Sequence, residues 1–476
     1  EGAFIKDEKL SKDEKFWVVK DGGEFKTIDF HRLRGILISR GFSRFKTTVK
    51  VYDFLKVTGK VARIYSWEEM RSYVLGLVRH LPDIYNGVAG NPKFKKEVLL
   101  DLPEEDLTWL RDTCEECFLF YRNCVVKVTQ YSKVPMLYKD LPGVIWESQI
   151  INRDYNDLVE EYFDKCDVSE FAKIVSANDI DRLGSYMSVL GYLVHNYKKA
   201  SQSPVIILYD EDNTGFPSGG SGKGLTLKFV EQMRNLVSVD GKIFDNKERF
   251  ALQRVSRETQ VLAIDDVPRK FNFESLFSSI TDGMTINKLY AGEMYLSFKE
   301  SPKIAISSNH VISGTSDSYT RRMFEIEIHK YFGANRTPVD RFGREFFSGW
   351  DEKEWNRFDN FMAYSVQYFL RNGLKRVPHI YVKQNKLIEG TNPDFVAWAE
   401  DVIEAGGRYD KVVLLNEYRT TTGDTMTGSK LFARWLGVYA EFKDMTISRC
   451  GSGGSGVFFE AKGRALLSDE DVIIPF

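Results

Sequence analysis

The chain has 476 residues, 43% of them apolar and 14% aromatic. That is too long for a single hydrophobic core and too rich in packing residues for a disordered chain, so about two to four domains are expected. With 66 Lys and Arg against 68 Asp and Glu, no global field draws it onto nucleic acid, and any such contact must use local patches.

One such patch is 26–63, where Arg32, Arg34, Arg40, Arg44, Lys46, Lys50, Lys56 and Lys60 meet few acids. No apolar run reaches the roughly 18 residues of a membrane helix, and the polar start lacks the order of a secretory signal, so a cytoplasmic protein without a membrane partner is expected. The chain begins at Glu1 rather than Met, as a fragment or processed form would. Its five cysteines, Cys114, Cys117, Cys124, Cys166 and Cys450, are odd in number and unevenly spaced, which argues against a disulfide framework. The Cys114–Cys117 pair lacks the second pair or nearby His that a zinc site needs.

In chain order, 1–156 alternates short mixed segments and is expected to be an α+β domain. Over 157–200 the apolar residues recur at helical spacing, predicting a helical linker or collar. Continuous apolar runs (PVIILY, VLAIDDV, KIAISSN, MFEIEI) alternate with helical ones over 201–345. That rhythm predicts a P-loop α/β ATPase core built on a mostly parallel sheet covered on both faces. A helix is expected over 351–376, within a helical extension at 346–380, stopped by Gly373 and Pro378. The last segment, 381–476, predicts two or three helices and a hairpin, a winged-helix-like domain, with Ser429, Lys430 and Arg434 on its candidate recognition helix and Arg449 at the wing. Acids are at least as common as bases from 380 onward, so a protein-contact or purely structural role stays open on equal terms.

The strongest chemical signal is VIILYDEDNTGFPSGGSGKGLTLKFVEQM, an apolar strand feeding a glycine loop that opens a helix. Glycines let backbone N–H groups curl around phosphate oxygens, and a lysine there reaches the terminal phosphates of a nucleotide. Gly219, Gly220, Ser221, Gly222, Lys223, Gly224 and Leu225 are therefore the expected ATP-binding residues. A second GSGGSG at 451–456 lacks the lysine and the helix and reads as a hairpin turn. The loop departs twice from GxxxxGK[ST]: Pro217 takes the first glycine position and Gly224 the hydroxyl position, so Mg²⁺ must be held by carboxylates elsewhere.

Asp265 and Asp266 end the next apolar strand, at the sheet edge where one carboxylate can hold Mg²⁺, a role expected of Asp265, and the other can activate water. Asn309 ends a third strand and is expected to orient that water. Arg321 and Arg322 follow, candidates for an arginine finger.

The order of PSGGSGKG, VLAIDDV, MTINKLYAGEMYLSFKESPKIAISSN and the arginine pair resembles the superfamily 3 helicases, especially the branch of bacteriophage and poxvirus-type primase-helicases, over roughly 200–375. The resemblance implies an AAA+ ATPase that forms a hexameric ring, translocates along single-stranded DNA, and works with a primase and other replication proteins, in the bacterial cytoplasm if phage-encoded. It also implies that TINKLYAGEMYLSFK is a hairpin in the ring channel, with Ala291 and Gly292 near its tip and Lys288, Tyr290 and Lys299 as candidates for gripping DNA. The alternative for that hairpin is a β-ribbon whose aromatics pack on a neighbour. No paired-acid primase site is seen, so primase chemistry is expected upstream of residue 1, if anywhere. Two other readings stay open: a nucleotide kinase, because Thr226 shortly after GSGKG resembles the adenylate kinase loop, and an ATP-binding replication initiator or scaffold without helicase activity.

Overall fold

In the computed structural model, which describes residues 10–11, 14–158, 165–200, 202–211, 220–312, 317–379, 381–450 and 456–461, the chain opens with an antiparallel pair, β1 (Trp17–Val19) and β2 (Phe25–Ile28). Helix α1 (Phe30–Ser39) starts where the Asp29 carboxylate accepts the Arg32 N–H, satisfying a first-turn donor. A meander of β3 (Phe42–Lys46), β4 (Tyr52–Thr58) and β5 (Val61–Tyr65) leads to α2 (Trp67–Leu77), started by a Ser66/Glu69 capping box, and to α3 (Pro82–Ala89). A second meander, β6 (Glu116–Phe120), β7 (Val125–Thr129) and β8 (Lys133–Met136), is followed by β9 (Ile145–Trp146), which joins the first sheet beside β5.

Helices α4 (Asp167–Val175) and α5 (Ile180–Val194) lie on the continuation of the same core. Leu119 of β6 and Tyr121 just after it are buried in one cluster with Phe171, Leu190, Ile206 and Phe358, so no break in the core falls at residue 156. Then come β10 (Val205–Asp210), α6 (Lys223–Glu231), β11 (Leu236–Asp240), β12 (Val261–Val267), α7 (Phe277–Thr281), the hairpin β13 (Gly283–Lys288) and β14 (Gly292–Ser297), β15 (Lys303–Ser308), α8 (Asp317–Arg322) and β16 (Met323–Ile328). The class is mixed α/β, with one five-stranded sheet in the order β11-β12-β15-β10-β16, parallel throughout. Every residue of β10 and β15 is buried, which is why both read as continuous rather than alternating apolar runs. Helix α9 (Pro338–Phe342) leads to α10 (Glu352–Asn372), which stops at Gly373 with φ of 65°. Helix α10 packs closely on α5, and a Cβ at Gly191 would lie 2.7 Å from that of Phe369.

His195, at the end of α5, bonds the Thr113 carbonyl through Nε2 at 2.7 Å while its Nδ1 is buried without a partner. Burial pushes its pKa down to about 4. Its folded pKa lies below the unfolded one, so the unfolded chain takes up the proton first as pH falls. Stability is therefore expected to fall from about pH 6.5 toward pH 4, by up to about 3 kcal/mol from this residue. Urea unfolding of wild type and His195→Phe checks it, because the variant's stability should vary less with pH between about 6.5 and 5.

From Pro378 onward the chain forms a separate compact unit. It contains α11 (Val382–Gly390), α12 (Pro393–Val402), β17 (Arg408–Asp410), α13 (Lys411–Thr422), α14 (Ser429–Phe442), β18 (Met445–Cys450) and β19 (Gly456–Ala461), the strands ordered β17-β19-β18. Its core is Phe395, Trp398, Tyr418, Phe432 and Trp435, with Ser429, Lys430 and Arg434 exposed on α14. Among the described residues no helix is long and apolar enough to cross a membrane.

Candidate functional site

The C-terminal ends of parallel strands share one edge of a sheet, and crevices for ligands form there. Asp210 is the last residue of β10 and the only acid in that strand. Its carboxylate pairs with Lys223 Nζ at 2.5 Å and accepts from the Ser221 hydroxyl. Lys223, the first residue of α6 and 8% exposed, also donates to Asn309 Oδ1 at 2.7 Å. Asn309 Nδ2 donates to Asp266 Oδ1 at 2.8 Å, and Asp266 Oδ2 pairs with Lys242 Nζ at 2.6 Å. That bond holds the Lys242 ammonium above the usual lysine range. The result is a continuous polar chain across the ends of β10, β12 and β15, reaching Lys242 beyond β11.

Asp265 and Asp266 are neighbours, and adjacent side chains of a regular strand point to opposite faces. Here the pairing of β12 with β15 breaks between Ile264 and Val267, and Asp266 adopts a φ of +57°. The break directs both carboxylates to residues two apart in sequence: the Ser307 hydroxyl donates to Asp265 Oδ1 at 2.5 Å, while Asp266 receives Asn309. Ser307 Oγ also accepts the Asp266 N–H at 2.8 Å, fixing the irregular backbone.

The loop before α6 supplies donors. None of the main-chain N–H groups from Gly220 to Leu225 has an acceptor among the described residues, and Gly220 and Gly222 have φ of 95° and 113°, a region open to glycine. Gly219 and Pro217 lie outside the described residues. Gly224 faces open space. Thr226 does not replace the missing hydroxyl, because it is fully buried, donates to the Gly222 carbonyl at 3.0 Å and shares a bond with the Tyr186 hydroxyl.

Arg321 and Arg322, on α8, are not part of this chain of contacts. Arg322 lies with its guanidinium over the Phe277 ring at 4.5 Å, whereas Arg321 is exposed and, among the described residues, bonds only the Asp317 carbonyl of its own helix. The hairpin β13–β14 turns at Leu289, Tyr290 and Ala291, with Tyr290 96% exposed at φ +61° and Gly292 already in β14. Its tip is clasped by the 47–51 turn, where the Thr48 hydroxyl donates to the Ala291 carbonyl at 2.5 Å and the Val49 N–H to the Glu293 carbonyl at 3.0 Å. Lys288 is half-buried beside the tip, and burial lowers its pKa. Lys299 lies past the other end of β14, a strand of six residues, so the two lysines are separated by about 17 Å or more of hairpin. The resemblance grouped them, and the structure does not.

No protein-family model matches the chain, and no curated protein does. Two solved structures are similar to it at 12% identity: the A form apo structure of the NrS-1 C terminal region, TM-score 0.46, and that of the same region given as 305–718, TM-score 0.44. Each covers 90% of this chain and 99% of its own. Likeness at that level assigns no activity.

Asp210, Ser307 and Lys242 were missed from sequence. Asp210 had a signal, as a lone acid ending an apolar strand just before the glycine loop. Ser307 and Lys242 had none, since their roles depend on which strands lie side by side.

Proposed function

We propose that this chain is an ATP-hydrolysing motor of DNA replication that moves on single-stranded DNA. The observation that carries it is the contact chain Asp210–Lys223–Asn309–Asp266 at the edge of a parallel sheet, beside N–H groups from Gly220 to Leu225 that have no acceptor among the described residues. A phosphate chain suits both: the N–H groups from Gly220 to Leu225, without acceptors among the described residues, can donate to its oxygens, and Lys223 can exchange Asp210 for a terminal phosphate. The carboxylates suit Mg²⁺, with Asp265 as its expected ligand, and bound there the ion offsets charge on the phosphate oxygens. Asn309 then orients a water and Asp266 accepts its proton.

Exposed Arg321 suits a finger reaching a neighbouring subunit better than Arg322, whose guanidinium is occupied on its own chain. Tyr290 at the hairpin tip offers a ring for stacking on a base. The unit from Pro378 onward is assigned as a winged-helix-like domain on its helix and strand order, and DNA contact through α14 is part of the proposal.

The test is ATP turnover with and without oligo-dT, together with unwinding of a forked duplex. Wild type should hydrolyse faster with the strand and unwind the fork, Asp266→Asn should lose about a hundredfold or more in turnover, and negative-stain images with a nonhydrolysable ATP analogue should show closed six-membered rings. A monomer whose turnover ignores DNA would sink the reading.

A further inference from the structure

Between the sheet of β3, β4, β5 and β9 and the turn after β14 lies a cleft of about 500 Å³, apart from both the Lys223 cluster and the hairpin tip. Phe45, Trp109, Trp146 and Tyr197 line it. Trp109 stacks on Trp146 with centroids 3.9 Å apart, and Phe45 meets Trp146 edge-on at 5.6 Å. Trp146 is buried while Trp109 and Tyr197 are only partly so, so the outer rings keep area for a ligand.

Most charges in the cleft are already matched. Arg111 and Arg257 share Glu300 at 3.2 and 3.9 Å, Glu104 pairs with Arg44 at 3.5 Å, Asp112 pairs with Arg234 at 3.3 Å, and buried Lys198 donates to Ser301 Oγ at 2.7 Å. Lys46 and Lys299 are left, both exposed and without an ion pair among the described residues, against Glu105 alone. Lys46 Nζ lies 5.9 Å from the centroid of the Tyr52 ring, and ammonium groups without a carboxylate partner beside open aromatic rings are what a flexible polyanion of flat bases needs: lysines for phosphates, rings for bases. The cleft also continues toward the hairpin, because Lys46 precedes the 47–51 turn that clasps its tip.

We propose that this cleft is a second single-strand binding site, in which one unstacked base lies against Trp109 and the flanking phosphates meet Lys46 and Lys299. The inference rests on the proposed function only for the class of polymer and needs no nucleotide at Lys223.

Binding of fluorescein-labelled oligo-dT is measured by anisotropy over a range of salt without ATP, alongside tryptophan emission. The Lys46→Glu/Lys299→Glu protein should bind about tenfold or more weakly, and its log–log salt slope should be shallower by about 1.4, two phosphate contacts on a single strand. The strand should quench tryptophan emission in wild type and quench it less in Trp109→Phe. Should the double variant not fold, Lys46→Gln and Lys299→Gln singly should each lower the slope by about 0.7. Unchanged affinity and slope in a variant that melts as wild type does would overturn the site. So would complete displacement of the strand by dTMP at equal nucleotide concentration, the mark of a mononucleotide pocket. A cleft that binds DNA in a protein without ATP turnover would sink the motor and keep this site, whereas strand-stimulated turnover with binding indifferent to both lysines would do the reverse.

Discussion

Lys223→Ala should lower ATP turnover by about a hundred- to a thousandfold, the scale for removing one preorganised group that faces developing charge. Binding should weaken as well, since the lysine is the cation of the loop, and titration with a fluorescent ATP analogue measures it separately from turnover. The same substitution leaves Asp210 buried, with its carboxylate held, among the described residues, only by the Ser221 hydroxyl. The variant should therefore also melt lower than wild type without nucleotide. Asp210→Asn separates the two effects: it removes the buried anion while sparing the lysine, so ATP binding should persist. Wild-type turnover in Lys223→Ala would place the chemistry elsewhere.

Arg153→Ala should be the most destabilising single change outside that site. Asp359 of α10 is fully buried, and Arg153 grips both its oxygens through Nε at 2.8 Å and a terminal nitrogen at 2.5 Å, with its guanidinium 4.6 Å over the Trp355 ring. Burial already pushes the Asp359 carboxyl above its ordinary value, and Arg153 opposes this. Removing one partner of a buried pair costs about 3–5 kcal/mol, readable as a lower urea midpoint. The sign of the pH dependence follows from the orphaned acid. Its folded pKa rises further above the unfolded one, so the penalty is absent below about pH 3.9 and grows as pH rises through the folded pKa. Arg153→Met/Asp359→Leu should recover most of the loss. A midpoint in Arg153→Ala equal to that of wild type would show that the pair is not buried in solution.

Strands, loops and helices of the α/β core were legible because their signals are local. The apolar runs at 205–210, 261–267 and 303–308 gave the parallel sheet, and the glycine loop gave the start of α6, since burial on both faces and positive φ each restrict residue type at the position itself. Helix α10 was likewise readable from its spacing and from Gly373. Tertiary structure alone decided which side chains meet. Strand order β11-β12-β15-β10-β16 brings Lys242, Asp266, Asn309 and Lys223 together from segments far apart in sequence, and no local pattern encodes that order. It also placed Asp265 and Asp266 toward neighbouring partners through a break in pairing, where a regular strand would have sent them to opposite faces. The same dependence on distant partners put Lys299 in the Trp109 cleft, away from the hairpin tip, and set Thr48 against Ala291, because contacts between separate sheets follow from packing geometry rather than from the residues of either strand.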